Sequence, residues 1–167
     1  MKHPMRKSPR LSYFDYSRNG AYFITICTQD RKHLFGTVGA DSISARIVEK
    51  TFLETIQKYP AVNCPKYVVM PNHFHAIITI IRADMESAPT ISEVIQSFKR
   101  YSTSEYIKSV KNHVLPPFEK RIWQRSYHDH IIRGETDYIK IWEYIENNPR
   151  TWENDCFYDE NPSNNEK

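Results

Sequence analysis

The sequence predicts an α+β domain with the order β-α-β-β-α-β, the ferredoxin-like arrangement of two layers, followed by one added C-terminal helix. Three observations predict it. Runs rich in β-branched and aromatic residues fall at 21–28, 61–70, 73–81 and 127–132. Apolar residues recur at three and four over 42–59, 90–110 and 135–147, so each of these segments is a helix with one apolar stripe that needs a sheet to cover. Turn residues separate the blocks. A chain of 167 residues suits one such domain.

In order, residues 1–18 form a basic arm with five Lys or Arg against one Asp, and Asn19-Gly20 is a turn signal before the first strand. Gln29 to His33 is a polar loop whose Arg31 and Lys32 read as solvated. The first helix carries Ile43, Ile47, Val48, Phe52, Leu53 and Ile56 on its stripe, with Ser42 as cap and Tyr59-Pro60 as stop. Pro71-Asn72 then joins two strands into a hairpin. The second helix starts at Thr90, where Glu93 completes a capping-box pattern. A proline-bearing loop over 112–120 leads to the weakest strand, and Gly134 to the third helix, which ends at Asn148-Pro149. A domain over 19–150 is thus flanked by the arm and by an acidic tail, 151–167, whose sparse periodicity predicts fraying.

With 40% hydrophobic and 13% aromatic residues the chain is not of disordered composition, and its net charge of +3 permits a polyanionic partner without requiring one. No apolar run is long enough for a membrane span, and residues 1–18 lack the apolar core of a signal peptide. Cys27, Cys64 and Cys156 form no CxxC pair and read as thiols in a reducing compartment, so the expected location is cytoplasmic.

The hairpin holds the most suggestive pair. His73 and His75 lie two apart on one strand, so their imidazoles share a face. They could hold a divalent ion if other ligands join them, or could simply bond to neighbours; the spacing leaves both open. On the added helix Tyr144 and Asn148 are four apart and also share a face. If that helix crosses the open sheet face, it brings a phenol beside the imidazoles and an amide oxygen as a third ligand. Such a set suits attack of a tyrosine oxygen on a phosphodiester. A phenol with a reference pKa of about 10 is a poor nucleophile at neutral pH unless an ion, Mg²⁺ or Mn²⁺, neutralises the phosphate.

Three stretches together carry a resemblance: Tyr67-Val68-Val69-Met70-Pro71-Asn72-His73-Phe74-His75, then Ile122-Trp123-Gln124-Arg125-Ser126-Tyr127-His128-Asp129-His130, then Asp137-Tyr138 through Tyr144 to Asn147-Asn148-Pro149. Over roughly residues 10–150 the chain resembles the IS200/IS605-like transposase superfamily, and within it the REP-associated tyrosine transposases. The resemblance implies His73 and His75 as the histidine-hydrophobe-histidine metal pair, Tyr144 as the helical nucleophile and Asn148 in the place of a ligand that is often Gln. It also implies single-stranded DNA with hairpins or short palindromic repeats as substrate, cleavage through a 5′-phosphotyrosine with a free 3′-OH, rejoining, and a possible homodimer. Arg6, Arg10, Lys99, Arg100, Arg121 and Arg125 are the candidate DNA contacts. Asp129 and His130 are expected to order the fourth strand and the loop before the nucleophile helix. Tyr127, Tyr138 and Tyr158 are alternative nucleophiles without a partner four residues on. A DNA-hairpin-binding regulator without catalysis, or a phosphodiesterase in which water attacks, would keep the same scaffold.

Overall fold

A computed structural model describes residues 20–38, 42–81 and 88–158. Four strands, β1 (Gly20–Cys27), β2 (Val62–Met70), β3 (His73–Ile80) and β4 (His128–Ile131), form one antiparallel sheet in the order β2-β3-β1-β4. Helices α1 (Ile43–Gln57) and α2 (Ile91–Lys111) follow β1 and β3, and α3 (Glu135–Asn147) follows β4. The ferredoxin-like order with an added helix is therefore present, and β3 is an inner strand. Fourth-strand pairing is shorter than the sequence suggests, four residues rather than six, because only Tyr22 to Thr25 of β1 face it.

Local sequence explains the helix starts. Ser42 Oγ accepts the Ala45 N–H at 3.0 Å. Thr90 and Glu93 satisfy each other's backbone N–H groups in a full capping box. Each cap removes an orphan donor at the helix end, which contributes about 1 kcal/mol.

Alternation along β1 and β3 divides the sheet into two faces. Tyr22, Ile24 and Ile26 with Phe74, Ala76 and Ile78 point to one side, where Val48 and Phe52 of α1 and Ile91, Val94, Ile95 and Phe98 of α2 close the main core. Phe52, Phe74 and Phe98 meet there at centroid distances of 4.6 to 5.3 Å. Trp123 is buried against this core and its indole N–H donates to Ser102 Oγ at 2.9 Å. Phe23, Thr25 and Cys27 therefore share the other face with His73, His75 and Ile77. Ile141 and Ile145 of α3 pack on Ile77, with Phe23, Val68 and Trp142 around them. Lys66 of β2 secures this helix by an ion pair with Glu146 and by lying over the Trp142 ring at 5.0 Å. The added helix thus crosses the histidine face, and the main core leaves that face free for chemistry.

Candidate active site

His73 and His75 sit side by side on β3, their rings 4.4 Å apart, and both are buried. A hydrogen-bonded chain fixes the first. Asn72 Nδ2 donates to the Phe157 carbonyl at 2.8 Å, so its Oδ1 is the acceptor facing His73 Nδ1, also at 2.8 Å. His73 must then carry its proton on Nδ1 and present a lone pair at Nε2. That Nε2 is buried without a hydrogen-bond partner. His75 Nδ1 meets Thr25 Oγ1 at 2.9 Å, and Phe23 stacks on its ring at 5.1 Å.

α3 delivers Tyr144 to the same place. Its hydroxyl lies 3.3 Å from His75 Nε2 and donates to Asp155 Oδ2 at 2.9 Å. Asn148, one turn later and buried, donates its amide N–H to the same Oδ2, while its own Oδ1 is buried without a partner. Asn148 acts on His73 as an acceptor and raises its pKa, yet the two atoms do not meet hydrogen-bond geometry. His73 Nε2 and Asn148 Oδ1 are thus two buried acceptor atoms without a hydrogen-bond donor.

Asp155 is the residue that the sequence did not reveal. Ligand atoms of His73, His75 and Asp155 all lie within 4.8 Å of one another, and they are the one such cluster among the described residues. Rather than fraying, residues 151–158 fold onto the site. A short 3₁₀ turn at Trp152–Asn154 precedes Asp155, Phe157 N–H donates to Asp155 Oδ1 at 2.7 Å, and the rings of Trp152 and Phe157 lie 5.6 and 4.7 Å from His73. Arg31 is likewise not simply solvated: it reaches the Cys156 carbonyl at 3.4 Å and lies over the Phe157 ring at 5.4 Å. The signal for this segment was its aromatic content, Trp152, Phe157 and Tyr158 among the acids. Residues 159–167 lie outside the described residues.

Electrostatics follow from burial. Desolvation pulls His73 down to about 4, against the pull of Asp155 and Asn148. His75 is lowered well below its ordinary value by burial and then by His73. Burial, followed by Asp155, raises the Tyr144 phenol. Burial also pushes Asp155 upward, but the Phe157 N–H and the Asn148 amide outweigh it and the net shift is downward. At neutral pH the site holds two neutral imidazoles, a carboxylate and a protonated phenol. Neutral nitrogen, anionic oxygen and two orphaned lone pairs are the donor set of a divalent-cation site.

Residues 17–148 match the family model described as "Transposase IS200 like". The chain belongs to that family. It is 33% identical to an uncharacterized protein of Haemophilus influenzae, over 92% of this chain and 93% of that one. It is also 29% identical to a second protein of that organism, provisionally assigned as a REP-associated tyrosine transposase, over 81% of this chain and 73% of the other. A solved REP-associated tyrosine transposase bound to a REP hairpin shares the fold, with a TM-score of 0.60, 21% identity, and coverage of 86% of this chain and 74% of that one. A provisionally assigned transposase from Deinococcus radiodurans superposes with a TM-score of 0.53 at 17% identity, covering 86% and 97%. Family membership and the histidine, histidine and aspartate cluster together make this transposase an HUH-type DNA-nicking enzyme. Asp155 lies beyond the matched segment.

The remaining sequence candidates divide. Lys99 donates to the carbonyls of Gln124 and Ser126 at 2.9 Å, so its ammonium fastens the loop before β4 to α2. Arg100 lines a cavity of about 760 Å³ between α2 and Lys58 and Tyr59, which follow α1, in the layer across the sheet from the site. Arg121 is half-buried and Arg125 exposed, while Arg6 and Arg10 lie outside the described residues. His130 Nε2 pairs with Asp137 Oδ2 at 2.8 Å, and that oxygen also accepts the Arg133 N–H, which ties β4 to the start of α3. Asp129 stands opposite Ile24 in the β1–β4 register and belongs to the helix-covered face. No helix among the described residues is long and apolar enough to cross a membrane.

Proposed function

We propose that this chain cleaves and rejoins single-stranded DNA at hairpins or palindromic repeats, with Tyr144 as nucleophile. A divalent ion, Mn²⁺ or Mg²⁺, would be held by His73 Nε2, His75 Nε2, the Asp155 carboxylate and Asn148 Oδ1. One observation carries the reading: inside one chain the Tyr144 hydroxyl lies within hydrogen-bond distance of His75 and Asp155, whose ligand atoms converge with that of His73 to within 4.8 Å. Mixed nitrogen and oxygen donors suit Mn²⁺ better than Mg²⁺. An ion bound there would neutralise the non-bridging phosphate oxygens and ease departure of the 3′-oxygen.

The chain's own groups do the rest. Thr25 and Asn72 aim the imidazoles, α3 aims the phenol, and Trp152 and Phe157 keep water from His73. Attack forms a bond between Tyr144 Oη and phosphorus and breaks the bond from phosphorus to O3′. The phenolic proton leaves the tyrosine and a proton joins the 3′-oxygen, so the products are a 5′-phosphotyrosine and a free 3′-OH. The reverse attack by a 3′-OH restores a phosphodiester with no other energy source.

Likeness to a REP-associated transposase that binds a REP hairpin supports hairpin DNA as the target class. The catalytic domain is 19–150, the basic arm 1–18 follows the phosphate backbone with Arg6 and Arg10, and the acidic tail 151–167 lends Asp155. Arg121 and Arg125 extend the contact, whereas Arg100 lies in the layer across the sheet from the site. Because the site is complete within one chain, Tyr144 works in cis, and a dimer is not needed for cleavage. The protein works in the cytoplasm. Incubation with end-labelled hairpin DNA and Mn²⁺ gives a denaturation-resistant protein–DNA adduct, and Tyr144→Phe abolishes it. An undiminished adduct in that variant refutes the assignment.

A further inference from the structure

The Tyr144 hydroxyl lies against two atoms that a bound cation would need. Its hydroxyl is 2.9 Å from Asp155 Oδ2 and 3.3 Å from His75 Nε2, and both side chains belong to the converging ligand cluster. In the tautomer able to ligate, His75 Nδ1–H donates to Thr25 Oγ1 and Nε2 offers a lone pair. The phenol then faces two acceptors with a single proton. Asp155 is filled at one oxygen: its Oδ1 takes only the Phe157 N–H, whereas its Oδ2 takes both the Asn148 amide and the Tyr144 hydroxyl. A carboxylate oxygen has two in-plane lone pairs, so a cation reaching Oδ2 must displace one of those donors. Asn148 is 1% exposed and locked at the end of α3, whereas Tyr144 is 39% exposed, so the phenol is the donor that can leave.

We propose that Asp155 is a positioning residue for the nucleophile as well as a metal ligand. It holds the Tyr144 hydroxyl through Oδ2, and a divalent cation held at that oxygen would require the phenol to leave it and become available for attack. The phenol keeps its proton throughout this exchange. The order of events is thereby fixed, ion first and attack second, and a strand entering without the ion meets a tethered nucleophile. This inference rests on the metal-dependent reading above.

The test is Mn²⁺ affinity, measured by calorimetry on the full chain without DNA. Removing the competing donor in Tyr144→Phe tightens Mn²⁺ binding about threefold to tenfold, the size expected for the loss of one hydrogen bond. Asp155→Asn weakens binding at least about tenfold. An affinity unchanged within about twofold in Tyr144→Phe overturns the competition, and a weaker one makes the phenol a ligand and overturns it too. Failure of the wild-type chain to bind Mn²⁺ at all would instead refute the metal site itself. A second readout is acetylation of Tyr144 by N-acetylimidazole, followed by mass spectrometry. Reactivity rises severalfold when Mn²⁺ is added to wild type, and no change overturns the release.

Discussion

Asn72 sets the protonation of His73. Its Oδ1 accepts from Nδ1 at 2.8 Å while its Nδ2 is anchored on the Phe157 carbonyl, so the side chain cannot flip without losing a bond. In sequence Asn72 is a turn residue; in the fold it joins the hairpin, the imidazole and the tail. Asn72→Ala should therefore weaken Mn²⁺ binding about 10- to 100-fold, the usual effect of removing the partner that orients a ligating histidine. Calorimetric titration checks this, and an unchanged affinity would mean that His73 needs no orienting partner.

The histidine pair gives the metal-free protein a specific acid sensitivity. His73 is held at about 4 in the fold against 6.5 as a free side chain, and His75 is shifted the same way. The unfolded chain therefore binds more protons than the native one, and stability is complete above pH 6.5 and falls as the pH drops toward about 4. For His73 alone the full loss is on the order of 3 kcal/mol. Urea denaturation in chelator should show the decline beginning between pH 6.5 and 5, above the range of ordinary carboxylates. His73→Asn should flatten that part of the curve.

Phe23 touches both His75 and Tyr144. Its ring stacks on His75 at 5.1 Å and meets Tyr144 edge-on at 5.9 Å. Phe23→Ala would free both rings, and a small misplacement of reacting groups costs on the order of 100-fold in rate. Single-turnover cleavage should therefore slow by roughly 10- to 100-fold with little change in DNA affinity. A variant whose affinity falls while its cleavage rate holds would make Phe23 a DNA contact instead.

Lys99 and Arg125 should behave differently although both are basic. Lys99 spends its ammonium on backbone carbonyls, so Lys99→Ala should lower stability by about 1–2 kcal/mol and leave the salt dependence of DNA binding nearly intact. Arg125→Ala should leave the melting temperature alone and reduce the slope of log K against log salt by about 1. Binding isotherms at several salt concentrations separate the two cases, and a lower slope for Lys99→Ala would contradict its structural role.

What the sequence revealed was local in origin. Ser42 and Thr90 announce their helices because capping is decided within a few residues, and His73 with His75, or Tyr144 with Asn148, announce shared faces because strand and helix periods are fixed. That α3 lies over β3 was readable only as a condition on the fold. Asp155 escaped because nothing local distinguishes it from the other acids of a polar tail. Its place depends on the chain turning after Pro149 and on Trp152 and Phe157 finding the histidine face, which are contacts between residues about eighty apart in sequence. Lys99 escaped for a related reason: the carbonyls it holds belong to a loop without periodicity.

The central claim is that Tyr144 takes the 5′-phosphate. Trypsin cutting after Lys140 and Arg150 leaves a peptide, 141–150, in which Tyr144 is the only tyrosine. Cleaving hairpin DNA with Mn²⁺, trimming the adduct with nuclease and sequencing the nucleotide-bearing peptide by mass spectrometry should therefore find the phosphodiester on that peptide. A nucleotide on Tyr127, Tyr138 or Tyr158, or free 5′-phosphate products with no adduct at any time, would contradict the account.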